Sequence, residues 1–145
     1  MMSAQVRVGV SVILHTPWGY PMMLRKGSHG AGTWCFPGGH LEMNESVLAC
    51  ALRELKEELD VTPDSMNILP WFTEDQWGDQ LHYITLYVHA FSTQQPVNVE
   101  THKCDHIQYV SANCDQLCDV LPAPSFGGCE QAWQNYKKWL VENMG

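Results

Sequence analysis

Apolar and polar residues alternate strictly at the start of the chain. Val6, Val8, Val10, Val12 and Leu14 fall on one side of a segment from Gln5 to Leu14, the period-two signature of a strand. Pro17-Trp18-Gly19 predicts a turn, and Pro21 to Arg25 a short second strand leading into a glycine-rich loop, Gly27 to Gly32. Thr33 to Phe36 is extended again, and Pro37-Gly38-Gly39-His40 predicts a turn before Leu41. The period then changes: Val47, Leu48, Ala51, Leu52, Leu55 and Leu59 recur at helical spacing, with Asn44 as the N-cap. Asn67 to Trp77 and Leu81 to Phe91 predict an antiparallel hairpin around Gly78-Asp79, its aromatics (Trp71, Phe72, Trp77, Tyr83, Tyr87, Phe91) assigned to the core. Ser92 to Cys104 is a polar loop, His106 to Ser111 a strand and Cys114 to Val120 a helical turn. Pro122 to Phe126 is an irregular linker, and Gly128 to Met144 a closing helix with Ala132, Trp133, Tyr136, Trp139 and Leu140 along one face. Strands alternating with two helices predict an α/β fold, an α/β/α sandwich with a mixed sheet between helices. With no internal repeat, low-complexity tract or linker, residues 1–145 are expected to form one domain.

The polar side of the first helix carries the chemistry. At about 100° per residue, Glu54 and Glu58 border its apolar face and Glu57 lies slightly further round, so all three can point into one cleft. Like charges three and four residues apart work against the helix by a few tenths of a kcal/mol each, and the nearby cations are Lys56 and Arg53, the latter expected on a different side. Clustered carboxylate oxygens suit a hard divalent cation such as Mg²⁺, shared with substrate phosphates. Alone, the cluster is equally a solvated acidic face. The glycines upstream shift that balance, because they allow close backbone approach and a carbonyl turned toward the same cation.

The spacing Gly39-x5-Glu45-x7-Arg53-Glu54-Leu55-x-Glu57-Glu58-x-Asp60-Val61 resembles the Nudix box of MutT-type hydrolases, G-x5-E-x7-R-E-U-x-E-E-x-G-U, at eight of its nine specified positions. The resemblance implies a Nudix-type sandwich that hydrolyses compounds containing a nucleoside diphosphate linked to another moiety, with Mg²⁺ or Mn²⁺. It further implies Glu54, Glu57 and Glu58 as metal ligands with the Gly38 carbonyl, Glu45 paired with Arg53 to orient that end of the helix, and Glu54 or Glu57 as general base. Glu100, in the later loop, corresponds to a further metal ligand in some members. The one departure is Asp60 where the family has a glycine, which requires Asp to take the left-handed helix cap at some cost.

Outside the box, Arg25-Lys26-Gly27-Ser28, Gly30-Ala31-Gly32-Thr33, Phe36 to Glu42 and His82-Tyr83-Ile84-Thr85 are similar to a vertebrate branch of the family, nucleotide triphosphate diphosphatases that act on thiopurine nucleotides. That likeness implies a base pocket of Cys35, Phe36, Thr85, Phe126 and Gly128, with Arg25 and His40 near phosphate and Gly39 among the substrate-binding residues. Cys35 stands where that branch has an amide side chain. The implied reaction is cleavage of nucleoside and deoxynucleoside triphosphates, modified or oxidised ones included, to monophosphate and pyrophosphate. Nucleoside diphosphate sugars or ADP-ribose are the alternative substrates, and a catalytically silent nucleotide-binding module is the alternative of another class. The branch also implies a homodimer.

Composition narrows the partners. A net charge of −8 with only eight Lys and Arg argues against nucleic-acid polymers, whose binding rests on phosphate neutralisation. It also gives a triphosphate a reason to need a bridging cation. No apolar run is long enough to span a membrane and no signal-peptide core is evident, so a cytoplasmic protein is expected. Six cysteines without a CxxC are expected to be reduced thiols, and His102-Lys-Cys104-Asp-His106 a polar loop and strand start because zinc-site spacing is missing.

Overall fold

The computed structural model describes residues 5–27 and 29–144, so Ser28 of the Arg25–Ser28 likeness lies outside the described residues. Strand β1 (Val6–His15) runs parallel to β6 (Leu81–Phe91), which pairs antiparallel with β5 (Ser65–Trp77). On its other edge β1 takes a short antiparallel strand, β4 (Gly38–His40), completing a mixed four-stranded sheet in the order β4-β1-β6-β5. A second, antiparallel sheet has the order β3-β2-β7, from Trp34–Cys35, Tyr20–Arg25 and Cys104–Val110. The mixed sheet expected from the sequence is therefore present, with three strands set apart in a sheet of their own.

Both faces of β1 are covered, and its alternation sorts residues between two cores. Val10, Val12 and Leu14 pack with Cys50, Ala51, Leu55 and Leu59 of helix α1 (Val47–Leu59). Ile13, between them, faces Trp133 and Tyr136 of helix α2 (Cys129–Met144), together with Trp34, Phe36 and Tyr87. The buried hydroxyls of Tyr20 and Tyr136 satisfy each other at 2.5 Å. Ala132, Trp133 and Tyr136 of the predicted α2 face are fully buried.

Four local expectations change. The N-cap of α1 is Ser46, whose Oγ accepts from Ala49 N–H at 3.1 Å, whereas Asn44 sits earlier at a φ of 66°. Leu52 is 43% exposed, and Cys50 takes a core position instead. Gly38-Gly39 is strand rather than turn. The hairpin aromatics divide: Tyr87 is core, Phe72 is 58% exposed, and Trp77 and Tyr83 line a cavity. Asp60 does adopt the left-handed cap, at φ 53° and ψ 41°, its N–H returning to Leu55 and Lys56 carbonyls while Lys56 Nζ reaches its carboxylate at 2.6 Å.

All six cysteines are free thiols. Among the described residues, no helix is long and apolar enough to cross a membrane.

Candidate active site

Strand β4 and the C-terminal half of α1 meet over two glycines. Gly38 N–H donates to Glu58 Oε1 at 2.8 Å. A Cβ on Gly38 would collide with the Val10 carbonyl of β1, and one on Gly39 with the Glu54 carboxylate. The glycines are required here by close approach: strand pairing on one side, a buried carboxylate on the other. Glu54 is only 9% exposed.

Arg53 organises the acids, and it does so from the same side, contrary to the sequence expectation. Its Nε and Nη2 take Glu45 as a fork at 2.7 and 3.0 Å, its Nη1 reaches Glu54 Oε1 at 2.8 Å, and Nη2 also donates to the His40 carbonyl at 3.1 Å. Glu57 stands 3.5 Å from the same guanidinium and is exposed. Hydrogen bonding to Arg53 pulls the Glu45 carboxyl down to about 2.

Among the described residues Glu58 has no such cation. Burial pushes its carboxyl up to about 8 against the pull of Gly38 N–H, with Glu54 and Glu100 pushing the same way. Glu54 is also raised, first by burial, with Arg53 opposing. Glu100 is brought near by the loop after β6, because Val97 and Val99 N–H cap the Leu59 and Glu58 carbonyls at 2.9 and 3.1 Å. Among the described residues, no three His, Cys, Asp or Glu side chains already enclose a metal-sized space. The donors nevertheless fit a hard cation: they are carboxylate oxygens, short of positive charge, and Mg²⁺ needs only one or two protein carboxylates when phosphate and water complete its shell.

Glu58, Gly38 and Gly39 also form one wall of a cleft whose space, its open mouth included, is about 770 Å³. The other walls include Arg25, Cys35, Phe36, His40, Thr85, Phe126 and Gly128, all assigned to substrate by resemblance. Glu45, Arg53, Glu54 and Glu57 do not line the cleft. Arg25 stacks over the Phe126 ring at 4.0 Å and donates to the His29 carbonyl, so it sits against the segment before α2. His40 stacks on Tyr83, whose hydroxyl is 3.1 Å from its Nε2, and burial lowers its pKa, favouring the neutral ring. Burial pushes the Cys35 thiol up to about 12, which makes it an apolar wall and not a nucleophile.

Four further cleft residues carry no mark in the box: His29, Asp75, Trp77 and Tyr83. Trp77 stacks on Phe126 with centroids 5.1 Å apart and planes 12° off parallel. Asp75 and Trp77 were findable, since a strict two-residue period puts them on the same face of β5 as the buried Thr73. A carboxylate on that face is the signal.

The NUDIX domain profile matches residues 5–122, and the chain belongs to the Nudix family, whose hydrolases generally use divalent metal ions. Among curated relatives, an 8-oxo-dGTP diphosphatase of Proteus vulgaris is 40% identical over 37% of this chain and 61% of its own length. The m7GpppN-mRNA hydrolase NUDT17 of Danio rerio is 37% identical over 68% of this chain and 37% of its own. The chain thus spans less than two thirds of these relatives. Among solved structures, a MutT Nudix hydrolase from Burkholderia pseudomallei superposes with a TM-score of 0.77 at 23% identity, covering 90% of this chain and 97% of that one. The Nudix domain of Shewanella oneidensis NrtR, complexed with ADP ribose, gives 0.74 at 21% identity, covering 96% and 90%. At these identities the likeness is one of fold.

Proposed function

We propose that this protein hydrolyses nucleoside and deoxynucleoside triphosphates, modified or oxidised ones included, to monophosphate and pyrophosphate with Mg²⁺ or Mn²⁺. The observation that carries this reading is the junction at Gly38-Gly39: the acidic end of α1 and an aromatic-walled cleft share it, with Glu58 belonging to both. Phosphates at the junction and a base in the cleft would use the whole surface.

In this account Glu54, Glu57 and Glu58 hold the metal with the Gly38 carbonyl. When bound, the metal neutralises phosphoryl charge and lowers the pKa of attacking water. Arg53 keeps Glu54 in place and is itself held by Glu45. Glu54 or Glu57 accepts the water's proton. Neutral His40 donates toward phosphate, and Cys35, Phe36, Thr85, Phe126 and Gly128 enclose the base. Arg25 serves at the boundary between phosphate and base, because its guanidinium rests on Phe126. A homodimeric state and a role in nucleotide-pool sanitation belong to the same reading, supported by resemblance to the thiopurine-acting branch, while one domain over 1–145 and a cytoplasmic location are proposed from the sequence pattern.

ADP-ribose or nucleoside diphosphate sugars are the second reading, favoured by the ADP ribose held on this fold in the Shewanella domain. Turnover of dGTP, 8-oxo-dGTP, thio-dGTP, dCTP, ADP-ribose and a GDP-sugar, measured side by side with products separated, discriminates the two. Higher kcat/KM for the triphosphates is the expected result. Preference for ADP-ribose or the sugar would replace the substrate class, and tight binding without turnover would make the chain a nucleotide-binding module.

A further inference from the structure

The cleft contains one carboxylate that is neither in the Nudix box nor on α1. Asp75 stands on the inward face of β5 between Thr73 and Trp77, and all three press on the segment that leads into α2. A Cβ on Gly128 would collide with Thr73, one on Gly127 would crowd Asp75 and Trp77, and Trp77 stacks on Phe126. Asp75 Oδ2 accepts from Gly128 N–H at 3.2 Å, and among the described residues no other protein donor reaches the carboxylate. Burial raises its pKa, so this charge is kept in the wall at some cost.

A second polar group lies in the same wall. His29 Nε2 is buried and has no hydrogen-bond partner among the described residues, its ring set edge-on to Trp77 and Phe126 at 4.7 and 5.2 Å. Beside the stacked rings of Trp77 and Phe126, such groups mark where a ligand's polar edge is read.

We propose that Asp75 selects the base of the bound nucleotide, accepting the adjacent N–H donors of a guanine-type edge. This rests on the nucleotide reading above. An ionised carboxylate only accepts hydrogen bonds, and its two oxygens together take several, so Oδ2 keeps Gly128 N–H while the pair meets two ligand donors. Guanine presents a ring N1–H beside its exocyclic amine. Adenine and cytosine place an acceptor nitrogen beside the amine, and thymine sets its one N–H between two carbonyls. Each of these three turns an acceptor toward the carboxylate and leaves a mismatch. Oxidation at C8 or sulfur at C6 leaves the N1–H and amine pair in place, so Asp75 sorts guanine-type bases from others and does not separate guanine from those modified forms.

Asp75 also tethers the Phe126–Gly128 segment to β5, so the test must separate tethering from selection. The change Asp75→Asn keeps an oxygen for Gly128 N–H and nearly the same shape, yet presents a donor beside an acceptor, the complement of adenine. We would measure kcat/KM for dGTP and dATP in wild type and D75N with Mg²⁺, and thermal shifts with dGMP and dAMP without metal. The expected result is a fall in the dGTP-to-dATP ratio of about tenfold or more, the same order of preference lost in the monophosphate shifts, and an unchanged melting temperature of the free protein. An unchanged ratio in both readouts, or equal loss for every base, overturns the assignment and leaves Asp75 a tether. If wild type turns over no triphosphate but loses its dGMP preference in D75N, the hydrolase reading fails and Asp75 stands. Absence of nucleotide binding by wild type overturns both.

Discussion

At the scale of single residues, the Arg53 fork fixes how Glu45 responds to protons. Glu45, held by the guanidinium fork, has its carboxyl lowered from the ordinary 4.5 to about 2. A lowered folded-state pKa contributes stability that is complete above the unfolded value and is lost as pH falls toward the folded one. Wild type minus Glu45→Gln stability, followed by denaturant unfolding, should therefore be constant above about pH 5 and shrink as pH falls toward about 2. A flat difference across that window would mean that the fork does not hold in solution. Glu58 is the residue with most to gain from a cation. Glu58→Gln keeps the acceptor for Gly38 N–H but removes the charge, and it should lower kcat by about a hundredfold or more with circular dichroism unchanged. The Nudix box made these residues legible through fixed spacing. It did not reveal that Arg53 would bend back onto Glu54, because a long side chain's reach is not a property of its position around the helix.

At the scale of elements, the telling piece is β4, which the sequence presents as a turn. Two glycines after a proline normally spell a turn, and what overrides that preference is pairing with β1 together with the packing of α1 above. Gly38→Ala would drive a methyl into the Val10 carbonyl, so it should destabilise by about 1–3 kcal/mol in thermal or denaturant unfolding. Gly39→Ala meets the end of the Glu54 side chain, not backbone; it should cost less stability than Gly38→Ala and lower turnover by displacing that carboxylate. Equal effects on stability would contradict this division. At the other end of α1, Asp60 carries the left-handed cap in place of the family's glycine. Asp60→Gly and Asp60→Ala both lose the Lys56 pair, so their difference isolates backbone strain. Glycine should be the more stable by about 1 kcal/mol after its greater unfolded-state entropy is counted. Strands and helices elsewhere were legible because their period was regular. The N-cap was not, since Asn44 and Ser46 are both good capping residues and only the approach path of the chain from β4 decides between them.

At the scale of the molecule, sequence and structure divide the work unevenly. The acidic end of α1 was readable from spacing alone. The cleft beside it was not, because its walls come from β2, β5, β6 and the segment before α2, brought together only by the two sheets. Residues there were reached by resemblance, which passed over Asp75 and Trp77; the period of β5 puts these two on one face, but only the fold sets that face against Phe126 to Gly128. The proposed triphosphatase activity rests on the joining of these two regions, an acidic helix and an aromatic hollow, at Gly38-Gly39. The most direct measurement is dGTP turnover with Mg²⁺ titrated in and then chelated, products separated, for wild type and Glu58→Gln. The account predicts deoxynucleoside monophosphate and pyrophosphate from wild type, none after chelation, and little from Glu58→Gln at saturating metal. Hydrolysis that survives chelation, release of single phosphate, or full activity in Glu58→Gln would contradict it.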